Sequence, residues 1–228
     1  MSLDYALRLT EILLGFAFIL QSIEHLKGFT NEQLLFSIRI VLSALLLVGF
    51  QTQWVLLTLF ILALFTLHRF QGPYNGGADR MGLLVLVCLT LSHFAPSLYW
   101  QEIAFGYLAI QLVLSYFISG WVKIVNPEWR NGQALRDVFQ FSTYPVSESL
   151  RGFVDFPKLL LLMSWVVMLF ELLFPLSLFS QVSLVIALVV AATFHFTNAC
   201  IFGLNRFFWI WLAAYPSIIW LQQRVMVS

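Results

Sequence analysis

Eight apolar stretches, each close to the length a bilayer demands, constrain this chain more than any other feature. They run near 4–25, 33–50, 53–70, 80–97, 102–123, 157–178, 181–201 and 204–222. A helix needs about 20 apolar residues to cross the hydrocarbon core, because each residue rises only about 1.5 Å. In lipid every backbone N–H and C=O must find its partner inside the protein, so apolar stretches of this length fold as helices. The expectation is an all-α, polytopic transmembrane helical bundle of about eight spans, with seven to nine as the range. Charged residues make up 10% of the 228 and hydrophobic residues 61%, where a soluble domain carries roughly 25% charged. No polar stretch is long enough to hold a soluble core and no internal repeat is visible, so residues 1–228 read as a single transmembrane domain.

The lipid bilayer is therefore the first partner. A formal net charge of +1, with no basic run and no aromatic RNA motif, argues against nucleic acid. Cys88 and Cys200 each sit inside an apolar run and neither belongs to a C-x-x-C, which argues against a thiol–disulfide oxidoreductase and a zinc ribbon. Both read as buried structural cysteines. The first apolar stretch contains Glu11, lacks a small-x-small cleavage site and starts with almost no basic residues, so it reads as a span rather than a cleaved signal.

Eight spans alternate in direction, and that parity sorts the polar residues. One membrane face receives His25, Lys27, His68, Arg69, Asp79, Arg80, Lys123, Trp129, Arg130, His195, Asn198 and Arg206. Of the 12 Lys and Arg, all but Arg8 and Arg224 fall on that side. His93 and Glu102 join those two on the other. The long connection 124–156 is polar, yet "QALRDVFQF" places Leu135, Val138 and Phe139 on one helical face. A short helix at the membrane interface is expected there.

Three stretches carry candidate chemistry. In "YFISGWVKIVNPEWRNG" (116–132), Tyr116, Ser119, Gly120 and Lys123 share a helix face. Gly120 admits a close neighbour, either another helix or a flat ligand. Lys123 is either a poorly solvated amine able to act as a base or a charge snorkelling to the headgroups with Trp121 and Trp129 as interfacial anchors. "RFQGPYNGGADRMG" (69–82) holds Asn75-Gly76-Gly77, which suits a tight turn, and Asp79, a candidate N-cap. It is either a turn alone or a turn that also walls a site, with Arg80 and His68 beside it. In "FHFTNACIFGLNRFF", His195 and Asn198 lie three apart on one helix face, and no second ligand at metal spacing accompanies them, so no metal site is expected. Glu171 sits mid-span in "LFELLFPL", where Pro175 removes the N–H that its carbonyl would accept from. A buried carboxylate must be protonated or paired, and Arg39 and Lys123 are the candidate partners. Glu11 and Glu24 raise the same question.

These segments resemble a known family. Residues 116–132, with Gly120, Lys123, Trp129 and Gly132, resemble the transmembrane segment of vitamin K-dependent γ-carboxylase that holds its base lysine. "FH..N" at 194–198, followed by the aromatic stretch ending "LAAYP", is similar to a later span of that enzyme. "RFQGPYNGG.DRM" resembles the Gly-Gly-Asp turn of bacterial horizontally transferred transmembrane (HTTM) domains. The resemblance implies a multi-helix fold with a cavity of quinol size, in which Lys123 takes the place of the lysine that deprotonates reduced vitamin K. It also implies a bacterial inner membrane, with the motif face outward. The excess of Lys and Arg on that face would place it in the cytoplasm instead, so orientation stays open.

Two departures separate the chain from the carboxylase. No histidine occurs in the Asn75–Asp79 segment, where the enzyme has a functional one. The large extramembrane domain that grips carboxylase substrates has no counterpart before Ser228, so full glutamate carboxylation is not expected. The expected function is a membrane protein whose polar face binds a quinol-like (vitamin K-like) or other amphipathic ligand, with or without turnover. Lys123 would accept a proton. His195 and Asn198 would position or polarise, and Tyr116, Gly120, Trp129, Arg130, Asn75, Asp79, Arg80, His68 and Glu171 would bind. The alternatives are a non-catalytic membrane subunit docking a redox or respiratory protein partner, and a small-molecule transporter.

Overall fold

A computed structural model describes residues 1–26, 30–69, 77–141 and 148–226, without the side chains of 30–32, 69, 148 and 149. The helices are α1 (Leu3–His25), α2 (Thr30–Val48), α3 (Thr52–Arg69), α4 (Gly77–Phe94), α5 (Leu98–Val125), α6 (Pro127–Arg130), α7 (Gln133–Phe141), α8 (Pro157–Leu173), α9 (Gln181–Phe202) and α10 (Asn205–Met226). Short 3-10 helices cover Glu148–Asp155 and Phe174–Phe179. Of the described residues 92% are helical and none is in a strand. Seven of the apolar stretches each fall largely in one long helix, and the remaining one, 157–178, runs through α8 into the 3-10 segment Phe174–Phe179. Among the described residues five segments are long and apolar enough to cross a membrane: Leu3–His25, Gly77–Phe94, Leu98–Val125, Pro157–Phe179 and Gln181–Phe202. Gln33–Val48 and Thr52–His68 are shorter apolar helices.

Local chemistry sets the helix ends. Ser2 accepts from the Tyr5 N–H at the start of α1, and Ser180 forms a reciprocal capping box with Ser183 at the start of α9. The connector after α2 turns on left-handed residues, Gly49 at φ +76° and Gln51 at +46°. Gly203, at φ +69°, closes α9, its N–H donating to Ala199 O. Pro175 breaks the run 157–179 as its position predicts: α8 stops at Leu173 and the chain tightens into the 3-10 segment.

The chain forms two compact units, Met1–Ile110 with Arg206–Ser228, and Gln111–Asn205. In the first, α1 to α4 pack in sequence around Leu14, Phe18, Leu56, Leu59, Val85 and Leu86, all buried. Small residues bring α1 onto α2, since a Cβ on Gly15 would stand 3.0 Å from Ser43 O. Helix α10 joins this unit through Trp209 against Phe16, Trp220 against Phe105, and Arg206 against Glu24. The two cations expected away from the polar face are both ion-paired here, Arg8 with Glu11 and Arg224 with Glu102. Cys88 is buried in this unit, as expected, whereas Cys200 in the second unit is exposed on α9.

Glu11 is held from two sides. Arg8 Nη1 donates to its Oε2 at 2.8 Å, and His93 Nε2 lies 2.6 Å from its Oε1. The same guanidinium donates to the carbonyls of Leu46 and Leu47, the open end of α2. It fits because Gly49 has no side chain, a Cβ there falling 3.3 Å from Arg8 Cζ. Glu11→Ala is therefore expected to destabilise by about 1–2 kcal/mol, below the value for a fully buried pair because Arg8 and His93 both reach solvent. Thermal unfolding of the purified protein in detergent checks this; an unchanged midpoint would contradict it.

In the second unit, α8 and α9 present Val182, Val185, Ile186, Val189, Leu162 and Val166 outward. Such a surface is stable only against lipid. Much of the polar connection 124–156 is helical. α7 is the expected short amphipathic helix, with Phe139 as its buried anchor against Phe153 and Phe202.

Candidate functional site

One face of α5 assembles the polar residues of the second unit. Tyr116, Ser119, Gly120 and Lys123 recur at helical spacing, so their side chains stack on one side over about two turns. Lys123 Nζ donates to Glu171 Oε1 at 2.7 Å, to Oε2 at 2.5 Å, and to Ser119 Oγ at 2.7 Å. Ser119 Oγ in turn donates to Glu171 Oε1 at 3.2 Å. Side-chain exposure is 17% for Lys123 and 4% for Glu171, so the carboxylate depends on this pair while the ammonium keeps some access. Of the two candidate partners of Glu171, Lys123 is the one it meets. Arg39 bonds Gln21 in the other unit instead.

The pair forms because α5 and α8 touch backbone to backbone. A Cβ on Gly120 would lie 2.5 Å from Leu172 N and 2.9 Å from Glu171 C. The open question about Gly120 thus has a structural answer: the close neighbour it admits is α8.

Two turns earlier on the same face, Tyr116 Oη lies 2.9 Å from His195 Nε2. Both are buried, and the Tyr116 ring stacks on Phe174 at 4.2 Å with Phe170 edge-on at 6.0 Å. Phe170 and Phe174 also floor an open apolar groove of about 360 Å³, walled by Leu169, Leu173, Ile186 and Val190, with Ser177 and Ser183 at its edge. Asn198, one turn beyond His195, contributes its backbone carbonyl to the α9 terminus, accepting from the Leu204 N–H at 3.3 Å.

Trp129 and Arg130 belong to α6, which Asn126 caps by accepting from the Glu128 N–H. The Trp129 ring centroid lies 5.3 Å from Lys123 Nζ, a cation–π distance. Backbone contacts pin α6 to α8: Ser164 Oγ donates to Trp129 O at 2.6 Å and Trp165 Nε1 to Arg130 O at 3.1 Å. The Arg130 side chain is exposed.

The remaining candidates lie in the first unit. Asp79 is the third residue of α4, inside its first turn rather than at the N-cap, and its Oδ1 accepts from Gln21 Nε2 at 2.5 Å. Its carboxylate therefore serves a neighbouring helix. Arg80 and His68 are exposed, and Asn75 lies outside the described residues. Sequence reasoning missed Gln21 and the Arg39 contact, although Gln21, Glu24 and His25 share a face of α1 at spacings of three and four. Among the described residues no group of three or more His, Cys, Asp or Glu could hold a metal ion.

Against known proteins, the model of the HTTM domain matches residues 93–222, just over half of the chain and the part that contains Lys123, Glu171 and His195. No curated protein and no solved structure matches. The long helices of the matched region are apolar, and among the described residues five segments are long and apolar enough to cross a bilayer. This integral membrane protein belongs to the HTTM domain family.

Proposed function

We propose that this protein binds a quinol-like or other amphipathic ligand beside Lys123, and that Lys123 takes a proton from a ligand hydroxyl. The observation that carries this reading is the part-buried Lys123–Ser119–Glu171 cluster at the α5 face that also bears Tyr116, the partner of His195. In a poorly solvated pair the shared proton can rest on either partner. With the proton on Glu171, the amine of Lys123 is neutral. It then accepts a proton from the ligand O–H and becomes ammonium, leaving an oxyanion. Ser119 orients the pair, Trp129 stabilises the cation, and Tyr116 with His195 aligns the ligand. The groove over Phe170 and Phe174 suits an apolar tail.

The same reading takes the whole chain, 1–228, as one domain of about eight spans in a bacterial inner membrane. α2, α3 and α10 supply the crossings beyond the five segments that are long and apolar enough by themselves, and α7 lies at the interface. Asn198 and Arg130 would complete the polar rim.

A second reading has one specific observation in its favour. Lys123 is fully partnered and Gly120 is filled by α8, as in a structural clamp of a non-catalytic membrane subunit that docks a redox partner. Lys123→Arg separates the two. Arginine keeps the charge and pairs with Glu171, yet its guanidinium stays protonated and cannot be a base. Wild-type protein in nanodiscs should bind menadiol and shift it toward the quinolate, read by ultraviolet absorbance. Lys123→Arg should keep its fold and lose that shift by at least about a hundred-fold, in the range of general-base losses. An arginine variant that behaves like the wild type, or a wild type that leaves menadiol unshifted, refutes the base.

A further inference from the structure

One guanidinium of the first unit faces a cavity with most of its donors unspent. Arg39 lies midway along α2, an apolar helix. Its Nη2 donates to Gln21 Oε1 at 2.7 Å, and the Phe18 ring covers its flat face, 4.0 Å from Cζ. Gln21 is itself buried and fixed, because its Nε2 donates to Asp79 Oδ1 at 2.5 Å. The amide therefore turns its carbonyl to Arg39. A guanidinium carries five N–H donors, and Gln21 is the one hydrogen-bond partner of Arg39 among the described residues.

Arg39 and Asp79 line a cavity of about 40 Å³ whose other walls include Phe18, Ala63, Leu67 and Leu83. A cation at this depth is costly unless an acceptor reaches it, and two parallel N–H groups match a carboxylate. Thr66, also on the wall, already donates its hydroxyl proton to Leu62 O at 2.8 Å, so it offers no further donor for a phosphate. The charge of Asp79 penalises a dianion more than a monoanion. A volume of about 40 Å³ takes a headgroup alone, so an attached aliphatic chain would lie outside the cavity, against exposed apolar side chains of α2 and α3 such as Ile38, Leu64 and Phe65.

We propose that this cavity binds the carboxylate of a long-chain aliphatic acid, with Arg39 as the bidentate donor and Gln21 as its positioning residue. The Lys123 reading plays no part in this site, which lies wholly within the first unit.

The test is equilibrium binding of radiolabelled palmitate to the full chain in nanodiscs, with hexadecanol and inorganic phosphate as competitors. Saturable binding is expected, displaced by unlabelled palmitate and by neither competitor. Arg39→Gln should weaken it by at least about thirty-fold, as for loss of one partner of a buried charge pair. Ala63→Leu, which fills the cavity and keeps the guanidinium, should weaken it comparably, and it carries the test if the Arg39 variant does not fold. Displacement by hexadecanol would mean that only the chain is recognised, and displacement by phosphate that any small anion is; either overturns the proposal. So do undiminished binding by Ala63→Leu or by a folded Arg39→Gln, and the absence of saturable binding.

Discussion

Gly120→Val should cost the protein about 3 kcal/mol or more of stability, because a Cβ there meets backbone closer than at any other glycine whose surroundings are described. Overpacking a tight contact costs about 1–3 kcal/mol when side chains can give way. Here they cannot. A Cβ at 120 would sit 2.5 Å from Leu172 N, 2.9 Å from Glu171 C and 2.9 Å from Leu172 Cα, all backbone atoms of α8. The helices must part, and parting them draws Glu171 away from Lys123. Two losses therefore arrive together, the interhelical packing and the buried pair. Gly152→Ala is the control, because nothing lies within 4 Å of a Cβ there; it should stay within about 0.5 kcal/mol of the wild type. Thermal unfolding in one detergent compares the two. A Gly120→Val protein melting with the wild type would show that α5 and α8 do not meet at this residue.

The second large effect is a coupling. Lys123→Met leaves the Glu171 carboxylate buried with only Ser119 to serve it, at a cost of about 3–5 kcal/mol. Glu171→Leu leaves an ammonium that is 17% exposed and can turn toward water, so its cost should be nearer 2–3 kcal/mol. The double variant Lys123→Met/Glu171→Leu removes both charges and fills the space with apolar side chains. It should recover most of the loss and approach wild-type stability. A double-mutant cycle reads this directly: single losses of that size that nearly vanish in the double variant imply an interaction energy of about 5 kcal/mol or more. Losses that simply add would show the two side chains to be independent. The recovered double variant also tests function, since it restores stability without restoring a base.

Much of the site was present in the sequence as a pattern of positions. Tyr116, Ser119, Gly120 and Lys123 had to share a helix face, because 3.6 residues per turn leaves no other arrangement. Pro175 had to end α8 near Leu173, and Gly203 to close α9, because each residue removes an option from the backbone. The partners were not legible. Lys123 and Glu171 are 48 residues apart, Tyr116 and His195 are 79 apart, and Gln21 and Asp79 are 58 apart. Periodicity orients a residue on its own helix and says nothing of which other helix it meets. For that reason Arg39 and Lys123 were equal candidates for Glu171.

The sequence by itself determined that the chain is helical and embedded in lipid. Apolar runs of bilayer length with few charges have one stable solvent, and within it the backbone must bond to itself locally. Helix ends followed for the same reason, through local caps and turns. Only the tertiary structure decided that Gly120 is filled by the backbone of α8, that Lys123 is paired with Glu171, and that Asp79 accepts from Gln21. Each of these depends on interhelical distances of 2.5–3.2 Å, which are set by how side chains of the whole unit pack against one another. No local property of the chain carries that information.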